Sequence, residues 1–235
     1  MVAGIRVWWI FAFFAAFSVV RFVIGSLRTM QRAGDMAAAA QELGLTFTPW
    51  TNDSNAIPKV GTELFCKHST GGFHNFMAGN FGRLETQVFD YSYSSGNAQN
   101  SSTAVQTVAV YTQNVDLPLF TLQPSSLALK ILDTLQHQKV DLDYPPGVSH
   151  HYAVHGSDAT GIKALFNGSL ISFVEGLDRS KGWHIEGAGK TLVMYRYNNR
   201  IKPAQLREFL QETSSIAQTF LSLSGTRRAY SSAAL

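Results

Sequence analysis

The chain has 235 residues, of which 45% are hydrophobic and only 15% are charged. This composition excludes a disordered or fibrous protein, because such chains lack the apolar residues that a packed core needs. The formal net charge of +3 arises in residues 1–34, which hold four arginines and no acidic residue. Residues 35–235 carry 15 basic and 16 acidic side chains, so they offer no basic excess for contacting phosphates. We therefore predict no nucleic-acid partner.

An uncharged apolar stretch runs from Val7 to Val20 and continues after Arg21 to Leu27. If the Arg21 guanidinium reaches the lipid headgroups, the stretch is 21 residues long. That length is enough for a helix across a hydrocarbon core of about 30 Å. We predict a permanent transmembrane anchor. The residues predicted to contact the membrane are Val7, Trp8, Trp9, Ile10, Phe11, Phe13, Phe14, Phe17, Val19, Val20, Phe22, Val23 and Ile24.

Two alternatives to the anchor are a cleaved signal peptide and a buried soluble helix. A basic residue before a short apolar stretch also fits a signal peptide, but no Ala-x-Ala-like cleavage site follows Val20, which favours the anchor. Arg21, Arg28 and Arg32 follow the stretch, whereas Arg6 and the α-amino group precede it. By the positive-inside rule, this margin of one charge predicts a single-pass protein of the inner (plasma) membrane with a cytoplasmic domain.

After the anchor, the pattern predicts one helix and then a run of strands. Apolar residues spaced by three and four predict a helix over 28–43, which Gly44 ends. Strands are predicted at 45–48, 63–67, 84–93, 103–112 and, as an edge piece between Pro118 and Pro124, at 119–122. The nine polar residues 94–102 are predicted to form a long hairpin loop.

Helices return in the C-terminal half. One is predicted from Ser125 or Ser126 to Leu135, one over 157–174, and an amphipathic one from Pro203. Residues 183–186 and 191–197 are predicted to form a hairpin around Gly187-Ala188-Gly189. Strands in a run with helices segregated from them predict an α+β fold, with helices packed on a mainly antiparallel sheet. The predicted divisions are an anchor with basic flank at 1–34, a globular domain at 35–224 and a flexible tail at 225–235.

No motif points to a particular reaction. Gly189-Lys190-Thr191 resembles the end of a phosphate-binding loop, but that loop needs a glycine where His184 stands. His150, His151 and His155 could suggest a metal site, yet 151–155 is predicted as a strand. Strand residues four positions apart are separated by about 13 Å, too far to share one ion. We predict no metal and no cofactor.

Three further polar residues are predicted to have structural roles and no role in catalysis. Asp141 and Asp143 could act as paired carboxylates, but a solvated strand face with Leu142 turned inward explains them better. Cys66 is the single cysteine, so no intrachain disulfide forms, which fits a reducing compartment. Since it ends a short apolar run, Cys66 is predicted to be a small buried residue.

The most distinctive local sequence is Phe89-Asp90-Tyr91-Ser92-Tyr93. In a strand, Phe89, Tyr91 and Tyr93 share one face while Asp90 points to the other. The aromatic stripe is typical of a core. A carboxylate between aromatics needs hydrogen-bond partners, whether its role is structural or catalytic. Asp90, Tyr91 and Tyr93 are therefore the candidate functional or structural polar site, and the structural role is favoured.

Several short stretches in a fixed order resemble an uncharacterised family of bacterial membrane-anchored proteins, in which a domain of unknown function follows an N-terminal membrane helix. The matching stretches are 39–45, 77–80 leading into 89–93, 107–110, 117–124, 152–158 and 185–189. The resemblance implies membrane attachment, a domain at the cytoplasmic face and no assigned activity. It transfers no catalytic residue to this chain.

These observations favour a membrane-anchored, non-enzymatic domain that binds a protein partner or small ligand at the cytoplasmic membrane face. Whether the protein is an enzyme stays open, although no catalytic constellation is visible in the sequence. One alternative is a hydrolase-like enzyme with a site around Asp90 and the histidines His150, His151 and His155. Another is a lipid-binding domain with an apolar cavity.

Overall fold

A computed structural model describes residues 3–50, 61–67, 71–97, 100–125, 139–145 and 150–231. Its helices are α1 (Ala3–Glu42), α2 (Glu63–Lys67), α3 (Ala159–Leu165), α4 (Gly168–Glu175) and α5 (Leu206–Ser231). Its strands are β1 (Thr46–Trp50), β2 (Gly72–Phe81), β3 (Leu84–Asn97), β4 (Asn100–Pro124), β5 (Tyr152–Gly156) and β6 (Trp183–Arg196). Short 3-10 turns lie at Arg179–Lys181 and Pro203–Gln205. The predicted α+β fold class is confirmed.

The helix α1 is continuous from an exposed apolar part to a part that is buried in the domain core. Its part from Phe11 onward is long and apolar enough to cross a membrane, and the apolar residues there are exposed on the protein. Further along, Met36 and Ala40 are fully buried in the core of the domain. Gly44 then ends the turn at a φ of +72°, a conformation that glycine adopts without steric cost. The helix predicted over 28–43 and its end at Gly44 are confirmed.

All six strands belong to one antiparallel sheet with β4 at its centre. The order β1-β2-β3-β4 is followed along the chain, and β4 then pairs with β5 on one side and β6 on the other. The ladder between β4 and β6 breaks register between Thr112 and Leu117 and again between Leu117 and Phe120. Such breaks bend a strand. The bend is large enough for Tyr195 and Glu186, nine positions apart on β6, to share a hydrogen bond.

The sheet buries both of its faces. The anchor face carries Asp90, Val88 and Ala109 and is covered by α1, α3, α4 and α5 in the larger core. The aromatic face carries Phe89, Tyr91 and Tyr93 and is covered by α2 in a second core. The alternation predicted for residues 89–93 is therefore confirmed.

Residues 63–67 form a helix, so the strand predicted there is wrong. The amides of Phe65 and Cys66 both donate to the carbonyl of Thr62, which closes a helical turn. A turn lets Leu64 and Phe65 both pack on the aromatic face, whereas neighbours on a strand point to opposite sides. Cys66 is exposed by the same geometry, and the prediction that it is buried is also wrong.

The polar segment 94–102 extends the two flanking strands, so the long loop predicted there is wrong. Ser94 lies opposite Thr103, and pairing continues to Asn97 opposite Asn100. The Ser94 and Thr103 hydroxyls are 3.2 Å apart and hydrogen-bonded. Cross-strand pairing satisfies the backbone even where side chains add no apolar area. We call this two-stranded extension, residues 93–97 and 100–105, the ribbon.

Residues 119–122 lie in the middle of the sheet, so the edge strand predicted there is wrong. Leu122 is paired with Val154 of β5 and with Ile185 of β6. The two prolines are tolerated because Pro118 falls at the register break and Pro124 ends the strand. At those places a missing N–H removes no ladder bond.

The predicted hairpin around residues 187–189 is one continuous strand, β6. Gly187 lies opposite Phe120, and a side chain at Gly187 would clash with the Phe120 ring. Gly189 has a φ of +53°, as expected where a strand bends. Gly187 therefore admits the Phe120 ring and Gly189 allows a bend, and the chain continues as one strand without reversing.

The helix predicted over 157–174 is split in two. Asp158 caps α3 by accepting from the Gly161 amide, and Asn167 caps α4 by accepting from the Leu170 amide. Asp141 and Asp143 are exposed as expected, although 141–145 forms no regular strand. The helix predicted from Ser125 or Ser126 to Leu135 falls almost entirely outside the described residues. The division at 34 and 224 stays a prediction.

Candidate functional site

Asp90 lies in the middle of β3 on the anchor face, where the end of the apolar helix meets the sheet. Its side chain is 1% exposed. Strand alternation explains the placement, since Val88 and Asp90 point to the face on which α1 packs. A buried carboxylate in this position requires compensation from the residues around it.

Two arginines supply that compensation. Arg32 of α1 donates its Nε to Oδ2 and a terminal nitrogen to Oδ1, both at 2.9 Å. This two-pronged geometry suits a guanidinium and a carboxylate and gives a strong charge-assisted pair. Arg200, just beyond β6, donates its own Nε to Oδ2 at 3.0 Å. Arg32 is 14% exposed and Arg200 is 38% exposed, so Arg32 is the more desolvated partner.

Neutral donors complete the cluster. Asn75 sits at the irregular point of β2 with a φ of +52°, and its Nδ2 donates to Asp90 at 2.8 Å. The hydroxyl of Thr107 on β4 donates to Oδ1 at 2.8 Å and accepts from the Ile201 amide at 3.0 Å. Asp90 thus ties α1, β2, β4 and the segment after β6 to one point. We call Asp90 with Arg32, Arg200, Asn75 and Thr107 the clasp.

The pKa of Asp90 is lowered despite its burial. Burial by itself raises the pKa, but the Arg32 hydrogen bond, the charges of Arg32 and Arg200, and the Asn75 hydrogen bond outweigh it. The carboxylate is therefore ionised at neutral pH. Its two oxygens accept hydrogen bonds from five donor atoms. Such a group is suited to holding elements together and is poorly placed to take a proton from a substrate.

Tyr91 and Tyr93, the other members of the predicted polar site, lie on the aromatic face and do not meet Asp90. Tyr91 packs edge-on against Phe65 at 5.4 Å and against Phe73 at 4.8 Å between ring centres. Burial, with the charge of Glu186, raises the pKa of Tyr91 to about 12. Both phenols are thus neutral core residues at physiological pH. The β-strand period separates the predicted site into two environments.

The aromatic face holds a second buried carboxyl, Glu186 of β6, which is 1% exposed. Its Oε2 accepts from the Leu64 amide at 3.0 Å, and its Oε1 accepts from the Tyr195 hydroxyl at 2.8 Å. Burial raises the pKa of Glu186 to about 7, because these hydrogen bonds only partly offset the loss of water. Glu186 therefore changes charge near neutral pH and joins α2 to the sheet.

His184 lies two positions before Glu186 on the same face. Its ring stacks on Tyr195 with centres 5.0 Å apart. Burial lowers the pKa of His184 to about 4, so the imidazole is neutral at pH 7. His184 therefore supplies no positive charge that could lower the pKa of Glu186.

The histidines proposed for the hydrolase alternative are dispersed. His155 is buried opposite Thr121, whereas Asp90 lies opposite Thr107 nearer the other end of the β4 ladder. His150 is exposed and stacks on Tyr144, and the His151 amide donates to Glu175. No group of three or more potential metal ligands occurs within the described ranges. The geometry does not bring Asp90 and these histidines together.

Sequence reasoning missed the partners of Asp90. Arg32 belongs to the basic flank of the predicted anchor, and Arg32, Met36 and Ala40 also follow one another at four-residue intervals on one helix face. A charged residue in line with two core residues requires a buried partner. That spacing is the signal that could have found Arg32. Glu186 carried no comparable signal, because its burial depends on the bend of β6.

The fold and clasp define an antiparallel α+β domain built onto the end of a long apolar helix. No family model matches the chain, and no curated protein matches it. Among solved structures, the chain is similar to the mycobacterial trehalose monomycolate transport factor A, with a TM-score of 0.55 and 11% sequence identity. The match covers 81% of this chain and 94% of the transport factor. At this identity the likeness establishes a shared fold.

Proposed function

We propose that the protein is a membrane-anchored, non-enzymatic domain that binds a protein partner or small ligand at the cytoplasmic membrane face. The observation that carries this proposal is the clasp. Because Arg32 belongs to α1 and Asp90 belongs to the sheet, the domain is fixed to the helix that would cross the membrane. A domain on a flexible linker would have no such contact.

The clasp also supports a role without catalysis. Asp90 is the most distinctive carboxylate of the sequence, and all its oxygens are engaged by residues that hold the fold together. The fold is shared with a protein described as a transport factor, and an accessory role in transport is one kind of non-enzymatic function. The family resemblance of the sequence and the basic residues after the apolar stretch support attachment at the inner membrane.

Fractionation of the full-length chain tests the anchoring and orientation. The membrane fraction is washed with carbonate, and protease is added from each side of the membrane. We expect a full-length chain that resists the wash, with the domain cut only from the cytoplasmic side. A shorter soluble product lacking the first 20 to 35 residues would mean a cleaved signal, and would overturn both the anchor and the cytoplasmic location.

A further inference from the structure

The helix α2 covers part of the aromatic face although it is only five residues long. Leu64 is 3% exposed, and the Phe65 ring packs against Phe73 and Tyr91 with ring centres 6.0 and 5.4 Å apart. A single helical turn is not stable in water by itself, because the first turn fixes several dihedral angles for one hydrogen bond. The helix α2 is therefore kept folded by its contacts with the sheet.

Glu186 forms a polar attachment beneath α2. The Leu64 amide lies in the first turn of the helix, where backbone amides have no partner within the helix. It donates to Glu186 Oε2 at 3.0 Å, and the Tyr195 hydroxyl donates to Oε1 at 2.8 Å. One buried carboxyl thus joins the start of α2 to the sheet.

The titratable groups around Glu186 leave its charge without compensation. Burial first, and then the charge of Glu63 on α2, raise the pKa of Glu186. Burial also raises the pKa of each of the tyrosines 91, 93 and 195, so these phenols stay neutral below pH 8. None of the groups is a lysine or an arginine. They are Glu63 of α2, Tyr91 and Tyr93 of β3, His184 and Tyr195 of β6, and Tyr197 after β6.

Ionisation of Glu186 therefore opposes the docking of α2. With α2 in place, the carboxylate is a buried anion beside a second acidic residue, Glu63. With α2 lifted, water reaches the carboxylate and its pKa falls from about 7 toward the ordinary value of 4.5. Because the open form holds the proton less tightly, loss of the proton favours opening.

Glycines flank α2 on both sides. Around Gly61, which precedes the helix, no atom of the described chain lies within 4 Å of where a Cβ would be. The backbone of Gly71, which follows the helix, lies against the Tyr91 ring so closely that a side chain would clash. Residues without a Cβ adopt the widest range of backbone angles, which suits hinge positions. The strands β1 and β2, before and after this segment, are paired with each other, so α2 can move while the sheet stays intact.

We propose that α2 is a strap that closes over the aromatic face while Glu186 is protonated and opens when Glu186 ionises. Opening uncovers the part of the face on which Phe65 packs, including Phe73 and Tyr91. The accessibility of the aromatic face then responds to pH. This inference goes beyond the proposed anchoring, since it concerns the face of the sheet opposite α1 and needs neither the membrane nor a partner.

The linkage sets the direction and the pH window of the response. The contribution of Glu186 to the opening equilibrium constant should rise about tenfold per pH unit between its two pKa values, 4.5 and about 7, and level off above pH 7. Between pH 5 and pH 7 the rise is on the order of 30-fold. His184 acts in the opposite direction if opening also hydrates it, because its pKa would then rise from about 4 toward 6.5.

Hydrogen exchange of the full-length chain in detergent, read by mass spectrometry from pH 5 to pH 8, tests the strap. The rates for residues 61–67 are corrected for the intrinsic pH dependence of exchange and converted to opening constants. Glu186→Gln is the partner variant, since its amide still accepts from the Leu64 amide but does not ionise. His184 and Glu63 are present in both proteins, so the ratio of the two opening constants isolates Glu186.

We expect the ratio of natural protein to Glu186→Gln at residues 61–67 to rise on the order of 30-fold from pH 5 to pH 7. Exchange of residues 84–93 in β3 should not follow it. A ratio that is constant with pH would overturn the strap. An equal rise at 84–93 would also overturn it, because the sheet would then open together with α2.

Two further variants separate Glu186 from general effects of substitution. Glu175→Gln is the matched control, because Glu175 is also a buried carboxyl that accepts two backbone amides, those of His151 and Tyr152. It should leave the pH dependence at residues 61–67 unchanged. Tyr195→Phe keeps the carboxyl and removes one donor, so opening should level off above pH 7 at a higher pH than in the natural protein. An unchanged levelling-off pH, or an effect of Glu175→Gln equal to that of Glu186→Gln, would refute control of α2 by Glu186.

Discussion

The two faces of the sheet each bury one carboxyl group and treat it in opposite ways. On the anchor face, two arginines surround Asp90 and its pKa is lowered although burial raises it. On the aromatic face, Glu186 has only neutral donors and its pKa is raised to about 7 by burial. The depth of burial is the same, at 1% exposed for each. The comparison teaches that the charge of the partners decides the state of a buried carboxyl.

The difference has opposite consequences for pH dependence. Asp90 binds fewer protons folded than unfolded, so its stabilisation is present above a pH of about 4 and is lost as pH falls through its lowered pKa. Glu186 binds more protons folded than unfolded between about pH 4.5 and 7. Its contribution to stability therefore falls as pH rises through that range. Substitution of each carboxyl, or of the side chains that donate hydrogen bonds to it, tests these two contributions to stability.

The largest effect is expected from Asp90→Ala. The substitution leaves the Arg32 guanidinium, which is 14% exposed, without its anion. Removing one member of a buried pair typically costs about 3–5 kcal/mol of unfolding free energy. Denaturant unfolding of the full-length chain in detergent measures it, with Ser92→Ala on the same strand as the control. A loss below about 1 kcal/mol would show that the clasp does not hold the domain.

The two arginines are expected to differ. Arg32→Ala removes a two-pronged, partly buried charge-assisted contact and should cost about 2 kcal/mol. Arg200→Ala removes a single contact from a side chain that is 38% exposed and should cost below about 1 kcal/mol. Unfolding of both variants under one set of conditions gives the comparison. Equal losses would contradict the assignment of Arg32 as the main partner.

Glu186→Gln tests the carboxyl of the aromatic face. An amide can still accept from the Leu64 amide and donate to the Tyr195 hydroxyl, but it does not ionise. The stability of the variant relative to the natural protein should therefore rise by about 1 kcal/mol between pH 6 and pH 8. His184, whose pKa is lowered to about 4, is common to both proteins and its contribution cancels. A constant difference across this range would refute the raised pKa.

A small, pH-dependent effect is expected from Tyr195→Phe, which removes one hydrogen bond to Glu186. Because that bond lowers the pKa of Glu186, its loss should raise the pKa further. The cost should be about 1 kcal/mol at pH 8, where the carboxylate needs the donor, and less at pH 5. Unfolding at the two pH values measures the difference. Tyr111→Phe, which removes a hydroxyl bonded to Thr213 on the anchor face, is the control whose cost should not depend on pH.

Much of the architecture follows from local pattern. The apolar helix, its end at Gly44, the fold class and the opposite faces of Asp90 and Tyr91 all depend on residues close together in the chain. The period of a helix or strand and the freedom of glycine act over a few positions. Those features are therefore readable from the sequence.

Tertiary structure alone decided the features that depend on distant partners. Residues 63–67 became a helix because the aromatic face had room for Leu64 and Phe65 together. Gly187 has no room for a side chain because the Phe120 ring, far away in the chain, packs against its backbone. Asp90 is ionised in the clasp because Arg32, 58 positions earlier in the chain, packs against it, and Glu186 is protonatable near neutral pH because the folded chain buries it away from water. Burial and charge pairing sum contributions from segments that meet only in the folded chain, so no local pattern encodes them.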